Sequence, residues 1–392
     1  MNRKELGIYI HIPFCKKKCY YCDFISFATN QNKVEEYFEA IEKEIDAYDF
    51  SKYKITTIYI GGGTPSYVDC SYICRIINKL KQKIEMETKL NFKDIEVTIE
   101  VNPGTVDREK IRRYVEIGIN RISIGLQAVQ DRLLKEIGRI HTFKEFLDSY
   151  RIIEEEGMKN INVDLMLGLP NQTILDLKES VEQIIKLDPS HISVYSLIVE
   201  EGTVISKLLD NGTLELPSED LERDMYWYVK NKLELNGYNH YEISNFAKKG
   251  KESKHNMNCW NQKEYIGLGL AAHSYLNSTR YSNVETIDEY IENMKKIRDA
   301  EMEIEKEDSL YEIHEKQKKL DKEKEYMIIG LRKIDGIEIN KFKEKFVDNP
   351  IFLFRKELDK LTKEELIVVD GNNIRLSNKG LDFANEVWEE FI

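Results

Sequence analysis

The sequence predicts an α/β fold, a parallel sheet covered by helices, followed by a small helical domain that carries a β-hairpin. Three observations predict it. Six short apolar runs alternate with amphipathic helical patterns from the N-terminus onward. Those runs carry Ile and Val on both faces, which suits strands buried under helices. Beyond residue 325 the pattern changes to helices followed by strand, turn and strand.

Taken in order, the candidate strands are Gly7–Pro13, Ile55–Ile60, Glu96–Glu100, Arg121–Leu126, Asn160–Leu165 and His191–Leu197. Between the first two, Val34, Tyr37, Phe38, Ile41, Ile45 and Tyr48 recur at a helix period. Thr142 with Glu145 forms the signature of a capping box, and Ser218 is placed to cap a long helix through Trp227 to Leu235. Six βα repeats of uneven spacing satisfy either an open doubly wound sheet or a partial (β/α)6 barrel. Residues 1–280 form this unit. Residues 281–324 read as a charged helical linker, because Glu301 to Glu325 is dense in charge with little apolar periodicity. In residues 325–392, Ile367-Val368-Val369, Asp370-Gly371-Asn372-Asn373 and Ile374-Arg375-Leu376 signal a hairpin. A last helix is expected over Gly380–Phe391, and helices followed by a hairpin resemble a winged helix.

Composition narrows the class. Seventy acidic residues against 58 basic ones give a net charge of −12, which argues against generic phosphate-backbone binding. Mean hydropathy is −0.50, and no apolar run is long enough to span a bilayer. The apolar stretch Leu6–Phe14 contains His11 and Pro13 and runs into three lysines, unlike a signal peptide. A cytoplasmic, reducing location is expected. The six cysteines therefore read as metal ligands or free thiols.

The strongest chemical signal is Cys15-Lys-Lys-Lys-Cys19-Tyr-Tyr-Cys22, a C-x3-C-x2-C triplet directly after the first strand. Three thiolates hold three irons of a [4Fe-4S] cluster and leave the fourth open to a small chelator. Structural zinc, with His11 or a distant residue as fourth ligand, is the alternative. Zinc sites usually show two ligand pairs about a dozen or more residues apart, and no second pair is present. Cys70 and Cys74, four apart on one helical face, read as buried thiols.

Gly61-Gly62-Gly63-Thr64-Pro65 ends the second strand, where glycines let a ligand approach exposed backbone N–H groups. Glu100 ends the third strand and Gln127 the fourth. Asp164 lies in the fifth, before Gly168-Leu-Pro170. Polar residues at successive C-terminal strand ends are where parallel α/β folds build their sites. Arg139 is placed to meet a carboxylate.

These motifs, with Ile99-Glu100-Val101-Asn102-Pro103, Ile124-Gly125-Leu126-Gln127 and Asp164-Leu-Met-Leu-Gly-Leu-Pro170, resemble the radical S-adenosylmethionine proteins of the oxygen-independent coproporphyrinogen III oxidase type. The resemblance covers nearly the whole chain and implies a partial (β/α)6 radical-SAM barrel. It further implies that Cys15, Cys19 and Cys22 ligate a [4Fe-4S] cluster whose open iron takes S-adenosylmethionine. Tyr9, Gly62, Gly63, Thr64, Glu100, Gln127, Arg139 and Asp164 match that family's adenosylmethionine-contacting positions.

Within the family, two features point to its heme-chaperone branch. Oxidases carry a fourth cysteine two residues after the third, where this chain has Phe24. They also carry a longer extension before the cluster motif, and only 14 residues precede Cys15 here. A third feature is His255-Asn256-Met257-Asn258-Cys259-Trp260. The chaperone branch carries His-Asn-x-x-Tyr-Trp here, linked to heme binding, so His255 is expected to touch heme as axial ligand or orienting contact. Cys259 departs from the usual Tyr. His, Met and Cys are all common axial ligands for heme iron. The following Tyr265–His273 segment, rich in Gly and Ala, reads equally as a packing surface for a flat ligand or a turn.

Three functions compete. The first is a heme chaperone that binds cluster, S-adenosylmethionine and heme and passes heme to an unidentified acceptor protein, with an electron donor if S-adenosylmethionine is cleaved. The second is a coproporphyrinogen III oxidase. The third, a nucleic-acid regulator using the winged-helix-like tail, ranks last. Its Lys341, Lys343, Lys345, Arg355 and Lys356 are interspersed with Glu344, Glu357 and Asp359, which marks a solvated face.

Overall fold

The computed structural model describes residues 3–28, 31–297 and 311–392. Six strands, β1 Lys4–Ile12, β2 Tyr53–Gly62, β3 Glu96–Val101, β4 Arg121–Gln127, β5 Ile161–Leu167 and β6 His191–Ser196, run parallel in sequence order. A helix follows each: α1 Gln31–Ala47, α2 Cys70–Thr88, α3 Arg108–Ile117, α4 Phe143–Glu155, α5 Ile174–Leu187 and α6 Glu219–Leu235. The caps read from sequence form. Thr142 and Glu145 make a reciprocal capping box, and Ser218 accepts from Leu221 N.

Contrary to the expectation of Ile and Val on both faces, the strands are apolar on one face only. Ile8, Ile10, Ile58, Ile60, Val97, Ile99, Ile122, Ile124, Val163 and Ile192 form one face and pack with the α1 stripe of Tyr37, Phe38, Ile41 and Ile45, all fully buried. The alternate positions carry Thr57, Thr98, Arg121, Ser123, Asn162, His191 and Ser193, buried as deeply. Period-two alternation thus sends apolar side chains to the helices and polar ones into the barrel. Burial on both faces conceals that alternation from composition alone. The inner groups bond one another: His191 Nδ1 to Asn162 Oδ1 at 2.5 Å, and Ser193 Oγ to the same oxygen at 3.0 Å.

The sheet extends beyond six strands. β7 Asn239–Glu242 and β8 Asn245–Ala247 add antiparallel beside β6. After helix α7, Lys254–Trp260, strand β9, Glu264–Leu268, pairs parallel with β1. β10 His273–Leu276, β11 Thr279–Asn283 and β12 Tyr311–Lys316 then continue antiparallel, completing twelve strands among the described residues. The Gly- and Ala-rich segment is therefore strand and tight turn. A Cβ on Gly267 would sit 2.3 Å from His273 O, so only glycine admits the returning chain.

The helical-linker reading of 281–324 is likewise corrected. Its described part holds the end of β11, helix α8 (Ile287–Lys296), β12 and the start of α9 (Lys319–Gly330). Residues 298–310 of the expected linker lie outside the described residues. Tyr281, Tyr290 and Met294 are at most 1% exposed in the main core. A few large anchors among outward charges hold the segment, and a periodicity count undervalues them.

The C-terminal segment has its own core around Met327, Phe342, Leu361 and Ile374. β14 (Ile367–Asp370) and β15 (Asn373–Leu376) form the expected hairpin, after β13 (Ile337–Glu338) has paired with β15. The expected last helix is two short ones, Asn378–Asp382 and Ala384–Glu389. Arg332 lies between the Trp260 and Trp388 rings, 4.5 and 5.1 Å from their centroids, and ties this unit to α7.

Candidate functional site

The C-terminal ends of the central strands surround a cavity of about 260 Å³. Cys15, Cys19, Cys22, Gly62, Gly63, Thr64, Glu100, Gln127, Arg139 and Asp164 all line it. Backbone bonds set the thiols there. Gly63 N donates to Ile12 O and Thr64 N to Phe14 O, each at 2.9 Å, so the glycine end of β2 is laced to the exit of β1. Thr64 Oγ1 then donates to Cys15 Sγ at 3.5 Å. Tyr20 N donates to Ile137 O at 3.0 Å, anchoring the cysteine loop to the chain beside Arg139.

The glycines are required by space. Gly62 has φ +108°, and a Cβ there would lie 2.5 Å from the His11 ring. On Gly63 it would lie 2.9 Å from Cys15 Sγ. Gln127 also adopts a positive φ, 75°, at a register shift between β4 and β5. Such strain at a strand end redirects a side chain, here into the cavity.

The carboxylates are held from within the barrel. Tyr59 OH donates to Glu100 Oε1 at 2.8 Å and Gly62 N to Oε2 at 3.2 Å. Burial nonetheless pushes the Glu100 pKa up to about 7. Asp164 accepts from Asn162 Nδ2 at 2.7 Å and Ser123 Oγ at 3.1 Å, and burial raises its pKa too. Arg139 Nη1 donates to Asn102 Oδ1 at 2.7 Å, while its Nε is buried without a partner.

Two expected site residues do not line this cavity. Tyr9 sits a layer below, its OH donating to His11 Nδ1 at 3.0 Å, its ring stacked on Tyr59 at 6.3 Å. His11 Nε2 donates to Ile25 O at 2.9 Å, so both ring nitrogens are engaged and His11 is not free to serve zinc. His255 is at the opposite end of the barrel. Its Nδ1 meets Thr57 Oγ1 at 2.9 Å, and its ring stacks on Tyr59 at 5.1 Å. Burial lowers its pKa to about 4, so the imidazole is neutral.

Sequence reasoning missed Asn102, Ser123 and Tyr195, which also line the cavity. Period-two spacing finds two of them, since Asn102 is two residues beyond Glu100 and Ser123 two before Gly125.

The chain is similar to known proteins over its whole length. Residues 9–184 match the Radical SAM superfamily and residues 318–383 the HemN C-terminal domain. A Lactococcus lactis protein named heme chaperone HemW is 36% identical, with 100% of this chain and 98% of that protein covered. A Bacillus subtilis protein of the same name is 37% identical, with 98% of each chain covered. In fold, the chain resembles the Escherichia coli coproporphyrinogen III oxidase HemN, described as a radical SAM enzyme, with TM-score 0.82, 21% identity and coverage of 99% and 90%. With a barrel that gathers three cysteines at its C-terminal rim and full-length likeness to these relatives, the chain belongs to the HemW family of the radical SAM superfamily.

Proposed function

We propose that this protein is a heme chaperone, which binds heme together with a [4Fe-4S] cluster and S-adenosylmethionine and transfers heme to an acceptor protein. The observation that carries this reading is the end-to-end likeness to proteins named heme chaperones, at 36% and 37% identity. The likeness to HemN, at 21% identity, speaks to fold alone. Phe24, at the oxidases' fourth-cysteine position, is 56% exposed at the cavity and offers no thiol.

The residues present fit the cofactors. Among the described residues, no three His, Cys, Asp or Glu side chains converge on a single ion. Cys15, Cys19 and Cys22 instead stand round one cavity, which suits three thiolates on separate irons. When bound, the cluster supplies an electron and an open iron for the amino and carboxylate groups of S-adenosylmethionine. Gly62, Gly63 and Thr64 offer backbone groups to the methionyl amine. Glu100 and Asp164 are fixed acceptors for ribose hydroxyls, and Gln127 supplies an amide. The unpartnered Arg139 Nε is available to a ligand carboxylate. Tyr9 supports this layer through His11 and Tyr59. The reading includes no nucleic acid, an acceptor still to be identified, an electron donor if S-adenosylmethionine is cleaved, and a cytoplasmic setting. No helix among the described residues is long and apolar enough to cross a membrane.

Anaerobic reconstitution followed by heme titration and a coproporphyrinogen III assay tests the proposal. Heme binding without coproporphyrinogen turnover is expected. Turnover with S-adenosylmethionine and a reductant would overturn it in favour of the oxidase.

A further inference from the structure

Beneath the cavity, β5, β6 and β7 are joined inside the barrel by a line of side-chain hydrogen bonds. Asn162 Nδ2 donates to Asp164 Oδ1 at 2.7 Å, and His191 Nδ1 meets Asn162 Oδ1 at 2.5 Å. His191 Nε2 meets Tyr241 OH at 2.8 Å, and Tyr241 OH accepts from Ser253 N at 3.2 Å. Strand register sets the order, since Asn162 lies opposite His191 and Asp164 opposite Ser193. Two hydroxyls join from the sides, Ser193 Oγ on Asn162 Oδ1 at 3.0 Å and Ser123 Oγ on Asp164 Oδ2 at 3.1 Å. Asp164 lines the cavity, whereas His191 and Tyr241 do not.

The chemistry of the groups gives the line one direction. An ionised Asp164 only accepts, so Asn162 turns its amide nitrogen to it and its oxygen away. That oxygen only accepts in turn, so His191 carries its proton on Nδ1 and leaves the Nε2 lone pair to the Tyr241 hydroxyl. From Ser253 to Asp164, each N–H or O–H then points toward the carboxylate, and bonds aligned in this way polarise one another in a low dielectric. The direction requires a neutral imidazole, because a protonated ring donates at both nitrogens and reverses the link to Tyr241. Burial, with the positive charge of Arg121, pushes the His191 pKa well below the usual histidine value. Arg121 is itself 2% exposed, with its Nε unpartnered.

We propose that His191 is a positioning residue for the ligand's ribose, fixing Asp164 through Asn162 as a hydrogen-bond acceptor for the ribose hydroxyls, with Tyr241 fixing His191 in turn. The inference rests on the S-adenosylmethionine reading given above. His191 touches no ligand, so its effect falls on the ribose hydroxyls and leaves the rest of the ligand alone. A network that only stabilised the barrel would weaken every ligand alike.

The test is anaerobic calorimetry on the full-length, cluster-reconstituted protein with two probes, S-adenosylmethionine and its 2′,3′-dideoxy analogue, which lacks the hydroxyls that Asp164 accepts. Wild type is expected to favour S-adenosylmethionine about tenfold or more. His191→Leu is expected to lose most of that preference, through weaker binding of S-adenosylmethionine alone. His191→Asn places an amide N–H where Nδ1–H stood and is expected to restore the preference. Tyr241→Phe removes one oxygen, disturbs packing least and is expected to lose part of the preference. It carries the comparison if thermal unfolding shows that His191→Leu does not fold. A preference unchanged in the variants, an equal loss for both probes, or a His191→Asn variant no better than His191→Leu would overturn the inference. Wild type that binds both probes equally would overturn it together with the ribose role of Asp164, and wild type that binds neither would overturn the S-adenosylmethionine reading itself.

Discussion

Arg139 Nη1 donates to Asn102 Oδ1 at 2.7 Å, and Asn102 Nδ2 in turn donates to Thr64 Oγ1 at 2.9 Å. One amide therefore ties the cavity's half-buried cation to the residue that bonds Cys15. Removing it should free Arg139 without touching a thiol. We expect Asn102→Ala to retain its iron and sulfide and to bind S-adenosylmethionine about tenfold or more weakly, since hydrogen bonds to charged groups contribute ~1.5–3 kcal/mol. Anaerobic calorimetry with metal analysis checks this. Unchanged affinity would remove Arg139 from the ligand site.

Only the cavity cysteines should matter to the cluster. Cys70 and Cys74 are buried in α2, and Cys259 is on α7 at the other end of the barrel. Single Cys→Ala variants at positions 15, 19 and 22 are expected to lose the cluster, and those at 70, 74 and 259 to keep it. Iron and sulfide content with electron paramagnetic resonance of the reduced proteins decides.

Gly62→Ala combines a positive φ with a contact 2.5 Å from His11, whose ring is bonded at both nitrogens and cannot retreat. A loss of ~1–3 kcal/mol of stability is expected. Gly157→Ala, also at positive φ but with nothing within 4 Å of the added Cβ, separates backbone strain from collision. Denaturant unfolding should find Gly62→Ala the more damaging.

Glu44 links the added strands to α1. Fully buried, it accepts from Gly269 N at 2.8 Å, Asn283 Nδ2 at 2.8 Å and Tyr290 OH at 2.7 Å. Burial still raises its pKa from 4.5 to about 7. A raised folded pKa means the folded chain holds the proton more tightly than the unfolded one. The contribution is complete below pH 4.5 and is lost as pH rises through about 7. Relative to Glu44→Gln, wild-type stability is therefore expected to fall by roughly 3 kcal/mol between those limits. A pH-independent difference between the two unfolding curves would contradict it.

The cavity was legible because its residues fall at strand ends, and strand ends follow from local pattern. Glu100, Gln127 and Asp164 each fall on or directly after a single apolar run. His255 was not legible in the same way. Its motif is local, but its partner Thr57 is 198 residues away, so whether the ring faces a ligand or the barrel interior is set by packing.

The sequence by itself determined the six βα units, their caps, the C-terminal hairpin and the cysteine, glycine and carboxylate positions of the cavity, since hydrogen bonding and periodicity within a few residues specify them. Tertiary structure alone decided that the strands' inner faces are polar, that β9 joins β1 across more than 250 residues of chain, and that the segment after residue 280 packs into the main core through Tyr281 and Tyr290. It also decided that α7 turns His255 inward. Those outcomes depend on which distant surfaces exclude water together, and burial of that kind is a property of the whole folded barrel rather than of any segment.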